Sequence, residues 1–157
     1  MIIVECYKDC QLVYRMDFIP DQVEHAFGKT RVLAAVDQKR KAIGIIDEDP
    51  QAGRPAYLKE YDEKDALGSI RLLKRKDDDE KRVVQISPRL EDWLYSLAKR
   101  NKVFPEKFKL PSDPKELHNR SLKRDKDFRS FLIELVSKRK DDEINTLRQW
   151  IREAIEQ

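Results

Sequence analysis

Apolar positions follow two rhythms along the chain. Ile2-Ile3-Val4 and Ala42-Ile43-Gly44-Ile45-Ile46 are unbroken apolar runs too short for helices. Each runs into acid: Glu5 after the first, Asp47-Glu48-Asp49 and then Pro50 after the second. Such runs predict interior strands covered on both faces. Val23 to Phe27 alternates loosely and predicts a strand between them. Helical stripes separate these runs. Leu12, Val13 and Met16 follow Asp9, which the pattern makes an N-cap behind a turn at Cys6-Tyr7-Lys8. Val32, Leu33 and Val36 follow Gly28-Lys29-Thr30, and Lys39-Arg40-Lys41 suits that helix's carbonyl end. The alternation β-α-β-α-β with short connections predicts a parallel sheet with right-handed crossovers.

Past Pro50 the pattern weakens. Residues 51–68, with Gly53, Pro55 and Gly68, read as a loop. Ile70–Leu73 and Val83–Ile86 read as a hairpin joined by a polar turn over Lys76–Lys81. Ser87-Pro88 reads as a helix start ahead of the stripe Leu90, Trp93, Leu94, Leu97 and Ala98. Lys102–Glu116 holds Pro105, Pro111 and Pro114 and predicts an irregular basic crossing. Phe128, Phe131, Leu132, Leu135 and Val136 predict a helix, and Asp141 caps a last one carrying Ile144, Leu147, Trp150, Ile151 and Ile155. The expected fold class is α/β, a mainly parallel central sheet flanked by helices over 1–100. Residues 101–157 form a basic helical extension packed on the same domain.

Composition and charge sharpen this picture. The chain has 157 residues, 40% charged and 39% apolar, enough for one core and too apolar for disorder. The net charge of +3 says little about partners, but its distribution says more. Lys99–Arg129 holds eleven Lys and Arg against five acids, a local +6 that leaves −3 for the rest. An acidic site beside a basic segment is what a metal-dependent enzyme acting on a polyanion needs. Arg120, Lys123 and Arg124, with Arg129, are the candidates to neutralise phosphates without reading bases. The spacing of Cys6 and Cys10 is not that of a zinc pair, so they read as reduced cytosolic thiols. His25 and His118 lie far apart and read as structural or exposed. The chain shows neither a signal peptide nor a bilayer-length apolar run, which predicts a cytoplasmic protein away from membranes.

The chemistry concentrates in the acids that end the strands. Side chains two apart on an extended segment point the same way, so Asp47 and Asp49 are expected to project together. Open α/β sheets bind ligands at that carboxyl end. Paired carboxylates repel unless a cation lies between them, and hard oxygen donors suit Mg²⁺ or Mn²⁺. Glu5 shares the location if its strand is a parallel neighbour. Glu91, near a helix start, could reach the same edge, and it and Glu48 are candidates for a second ion. Lys29 or Lys8 could offset phosphate charge; either otherwise reads as a surface lysine, Lys8 above all.

These pieces resemble the Toprim domain of topoisomerases, primases and overcoming-lysogenization-defect nucleases. VECYKD looks like the family's Glu-Gly-x-x-Asp start, with Cys6 where the family has glycine, and IIDEDP looks like its Asp-x-Asp element. SPRLEDWL is similar to a Pro-x-x-Glu-x-Trp helix of small stand-alone Toprim-like proteins. The resemblance covers residues 1–50 well and continues more loosely to Lys99. It implies a Mg²⁺- or Mn²⁺-dependent phosphodiesterase acting on DNA or RNA. Asp47, Asp49 and Glu91 are then metal ligands, Glu5 a shared ligand or proton acceptor, and Lys29 a catalytic cation. It further implies nucleic-acid maintenance or phage defence. The chain has no Gly-x-x-x-x-Gly-Lys-Ser/Thr motif, so an ATPase would be a partner protein. The competing reading is a Toprim-like module that holds nucleic acid or protein without cutting. Self-association through the last helix, where Trp150 reads as core, stays open.

Overall fold

The computed structural model describes residues 1–120 and 125–156. Six strands form one sheet: β1 (Ile2–Val4), β2 (Val23–His25), β3 (Ala42–Asp47), β4 (Tyr61–Leu67), β5 (Ile70–Arg75) and β6 (Asp78–Ile86). Their spatial order is β2-β1-β3-β6-β5-β4. β2, β1 and β3 pair in parallel, as the alternating pattern predicts, and β6 adds to β3 in parallel as well. β5 runs antiparallel to both β6 and β4. The sheet is therefore mixed, and the expectation of a mainly parallel sheet is corrected. The physical reason is the hairpin: a tight turn after Arg75 returns the chain as β6, which docks beside β3 and leaves β5 and β4 as an antiparallel flank.

β4 lies where a loop was expected. Only Tyr61 of its seven residues is buried, so it carries no apolar alternation to betray it. An edge strand covered with Asp62, Glu63, Lys64 and Asp65 also resists pairing with another chain.

Alternation along the central strands divides the core in two. Ile2, Val4, Ile43, Ile45, Val84 and Ile86 face one side. There they meet α1 (Tyr7–Arg15), α3 (Leu90–Arg100), α4 (Pro114–Asn119), α5 (Lys126–Val136) and α6 (Asp142–Ile155). Ile3, Ala42, Ile46 and Val83 face the other side, against α2 (Lys29–Gln38) and Leu58 of a short 3₁₀ turn. Phe128, Phe131, Leu147 and Trp150 belong to the same cluster as Ile2 and Ile43, so the C-terminal helices share the sheet's core. Among the described residues no helix is long and apolar enough to cross a membrane.

Two helix starts differ from the sequence reading. Cys6, not Asp9, is the N-cap of α1, and Asp9 occupies the third helical position. Asp9 Oδ2 accepts from the Cys6 backbone N–H and from its thiol, both at 3.2 Å, closing a capping box. Cys6 has φ −147, extended backbone open to any residue, so no glycine is required there. At α3 the N-cap is Arg89 rather than Ser87. The side chain that satisfies the start of α3 comes from the sheet: Asp47 Oδ1 accepts from Leu90 N–H at 2.9 Å.

Candidate active site

The carboxyl ends of β1 and β3 lie side by side because Val4 pairs with Ile45 in parallel register. Glu5 leaves β1 there, and its Oε1 accepts from the backbone N–H of Asp47 at 2.8 Å. Asp47 is held in turn against the first N–H of α3. The start of α1 brings Asp9 to the same place, and the start of α3 brings Glu91. Lys29, the first residue of α2, donates from Nζ to the Glu48 carbonyl at 2.6 Å. Five elements thus aim their ends at one edge of the sheet.

The acids perturb one another. Burial pushes the Asp47 carboxyl up to about 7, with Glu5 and Glu91 adding repulsion, against the Leu90 N–H and Lys29. Burial also raises Glu5, with the Asp47 N–H and Lys29 opposing. Asp9 is raised well above the ordinary carboxylate value, first by burial and then by Asp47 and Glu5. Displaced pKa values at the mouth of an α/β sheet mark a candidate functional site on physical grounds.

Glu91 is almost fully buried, and a lysine and a histidine meet it. Lys8 Nζ and His118 Nδ1 each lie 3.2 Å from Oε1. Lys8 also donates to the His118 carbonyl at 3.0 Å. The reading of Lys8 as a surface lysine is corrected: it is 8% exposed, because α4 closes over it. His118, read as structural or exposed, belongs to the same group. Neither placement could be drawn from local pattern, since α4 follows Lys8 by about a hundred residues of chain.

The Asp-x-Asp pair does not stay parallel. β3 ends at Asp47, and Asp49 takes a left-handed backbone at φ 40 that breaks the two-residue period. Asp49 Oδ1 lies 3.3 Å from Arg89 Nη2, yet its charge still reaches Glu5. Glu48 accepts from the Ser87 hydroxyl and lies 3.9 Å from Arg71. Arg120 is engaged within the chain, by Asp125 at 2.9 Å and the Lys109 carbonyl at 3.3 Å. Lys123 and Arg124 lie outside the described residues.

Carboxylate oxygens are the donors a hard divalent cation takes. Asp9 Oδ1 and Glu91 Oε2 are buried with no hydrogen-bond partner among the described residues, so the donor set fits Mg²⁺ or Mn²⁺ in kind. Among the described residues, however, no three His, Cys, Asp or Glu side chains stand ready to hold a metal ion. Local partners account for this: Cys6 holds Asp9, Lys8 and His118 hold Glu91, and Arg89 holds Asp49. With the Asp47 carboxyl pushed up to about 7, a cation bound there would compete with a proton.

Beside Glu5 lies a group of rings that the strand pattern did not single out. His25 Nε2 lies 3.0 Å from the Glu5 carbonyl oxygen. The His25 ring stacks on Phe27, with centroids 3.7 Å apart and planes 25° apart. Tyr7 meets His25 edge-on at 4.6 Å.

Comparison with protein-family models, with curated proteins and with solved structures returned no match.

Proposed function

We propose that this chain is a Toprim-like, divalent-cation-dependent phosphodiesterase that cuts nucleic acid at the Glu5–Asp47 edge of its sheet. One observation carries the reading. Glu5, Asp9 and Asp47 crowd the ends of parallel strands, with Glu91 beside them, closely enough that the proton affinity of the first three is raised, and Lys29 faces them. Crowded carboxylates that only stabilised the fold would be self-defeating, since each adds repulsion. The resemblance of VECYKD and IIDEDP to Toprim motifs supports the same reading.

Asp47 and Glu5, with Asp49, Asp9 and Glu91 near them, are the residues that would hold Mg²⁺ or Mn²⁺. Such an ion supplies charge stabilisation at a phosphate oxygen and a more acidic bound water. The remaining roles belong to the chain. Lys29 offsets phosphate charge. Glu5, held by the Asp47 N–H, accepts or returns a proton. The start of α3 fixes Asp47 through the Leu90 N–H, so its free oxygen keeps one direction. An ATPase partner and a role in phage defence rest on the resemblance alone.

The test is cleavage of plasmid, single-stranded DNA and RNA in Mg²⁺ or Mn²⁺ and again in EDTA. The expected result is cation-dependent cleavage that Asp47→Ala abolishes and Lys29→Ala weakens. A second reading, a module that binds without cutting, draws on Glu91, already engaged by Lys8 and His118. It predicts salt-sensitive binding that Asp47→Ala leaves unchanged, with no cleavage in either cation.

A further inference from the structure

Phe27 sits in a conformation that its side chain does not favour. Its φ is 56, left-handed, and the next residue, Gly28, has φ 123. An aromatic residue at positive φ is strained unless its surroundings hold it there. Yet Phe27 is 61% exposed, so burial of the ring does not compensate the strain. One face of the ring stacks on His25, and the ring meets Tyr7 in a T-shaped contact with centroids 6.5 Å apart. Beside it lies a concavity of about 460 Å³ whose lining includes Lys29, Arg31 and Arg54 and, among the described residues, no acid. A strained, exposed ring on a rigid support, beside three cations, matches a flat and partly anionic ligand. A neutral apolar partner would leave those cations without purpose.

We propose that Phe27 is a base-stacking platform, so that the substrate is single-stranded nucleic acid, with Lys29, Arg31 and Arg54 tracking its phosphates. The proposal rests on the reading of the Glu5–Asp47 edge as a phosphodiester site, and it names the strand form that the site takes. Every base offers a π-face to an aromatic side chain, so stacking is tolerant of sequence. In a duplex those faces are covered by neighbouring bases, whereas an unpaired base can be splayed onto a ring. Connectivity sets the platform close to the acids. β1 and β2 run parallel with Val4 opposite His25, so the turn carrying Phe27 leaves the same edge as Glu5. The contact of His25 with the Glu5 carbonyl then links the support of the ring to the candidate catalytic acid. A base resting on Phe27 would leave a neighbouring phosphate over Lys29, which faces Glu5 and Asp47.

The test is fluorescence anisotropy with one labelled oligonucleotide, single-stranded and annealed to its complement, in EDTA so that no cleavage intervenes. Wild-type protein is expected to favour the single strand. Phe27→Ala should weaken that binding by about tenfold and leave the duplex unaffected, and Phe27→Trp should retain it. Phe27→Gly should lose binding equally while melting at a higher temperature, because glycine accepts the backbone conformation freely. Equal affinity for both forms, or unaltered binding by Phe27→Ala, overturns the proposal. A Phe27→Gly protein that melts lower does so too, since the ring is then structural. Failure here separates from failure of the phosphodiesterase reading. Asp47-dependent cleavage without any Phe27 effect removes the platform alone. Phe27-dependent binding by a protein that cuts nothing in Mg²⁺ or Mn²⁺ removes the enzyme alone.

Discussion

Lys8 Nζ lies 3.2 Å from Glu91 Oε1, and both side chains are nearly excluded from solvent, at 10% and 4% exposure. A buried ion pair adds little net stability but is costly to break from one side. Lys8→Met would remove the lysine ammonium that faces the buried Glu91 carboxylate. The expected loss is about 3 kcal/mol or more of unfolding free energy, read by urea denaturation at neutral pH. Adding Glu91→Leu should recover most of it, because the uncompensated charge is then gone. A double variant as unstable as Lys8→Met would show that the lysine acts through packing instead.

Asp47 sets the pH dependence. Its carboxyl titrates near 3.8 when unfolded and at about 7 in the fold, where burial, Glu5 and Glu91 oppose its charge and Leu90 N–H and Lys29 support it. Between those values the folded protein holds a proton that the unfolded chain has lost. Stability therefore falls as pH rises through that window, and the loss is complete above the folded value. Raised Glu5 and Asp9 act with the same sign. Cation-free protein should melt at a lower temperature at about pH 8 than at about pH 5. Asp47→Asn, whose amide oxygen can still accept from Leu90 N–H, should flatten that slope. Millimolar Mg²⁺ or Mn²⁺ should raise the melting point of wild type at about pH 8 and leave Asp47→Asn nearly unmoved.

What could be read in advance divides along physical lines. β1 and β3 were legible because strands buried on both faces need unbroken apolar runs. α2, α5 and α6 were legible because each buries one stripe, and Asp141 caps α6 as its position implies. Glu5 and Asp47 were legible as acids at strand ends. β4 was hidden because a solvent-facing edge strand has no apolar requirement beyond Tyr61. The divergence of Asp49 from Asp47 was hidden because a period of two holds only while the strand lasts. Lys8 and His118 meet Glu91 through tertiary contacts that no local spacing encodes. Phe27 read as the end of a strand, since a positive φ leaves no mark on a sequence when the residue is not glycine.

Gly68 should prove unusually intolerant. It turns β4 into β5 at φ 56, and a Cβ there would clash with the Glu143 carboxylate. That carboxylate accepts from Ser69 N–H at 2.8 Å and, through its other oxygen, from Arg100 at 2.6 Å. Gly68→Ala therefore combines backbone strain with displacement of a buried acid from its partners. The expected cost is about 2–4 kcal/mol by chemical denaturation. Glu143→Ala made in the Gly68→Ala background should cost less than it does alone, because the clash has already spoiled the contact.

Gly44 links packing to the candidate chemistry. It lies mid-way along β3, and a Cβ there would meet Val32 Cγ1 at 2.8 Å and Val36 Cγ2 at 3.0 Å. Both valines belong to α2, whose first residue is Lys29, so glycine lets that helix lie close against the strand carrying Asp47. Gly44→Ala should overpack this contact at a cost of about 1–3 kcal/mol and push α2 outward. The lysine would move with its helix, away from the Glu48 carbonyl and from the acids it faces. Cleavage, where present, should then fall by more than the folded fraction does, since small misplacements of a catalytic cation cost rate steeply. Val32→Ala in the same chain opens the space that the added methyl needs. It should return both the melting temperature and the cleavage rate toward wild type. A double variant that recovers stability but not rate would mean that Gly44 serves the site by some route other than the seating of α2.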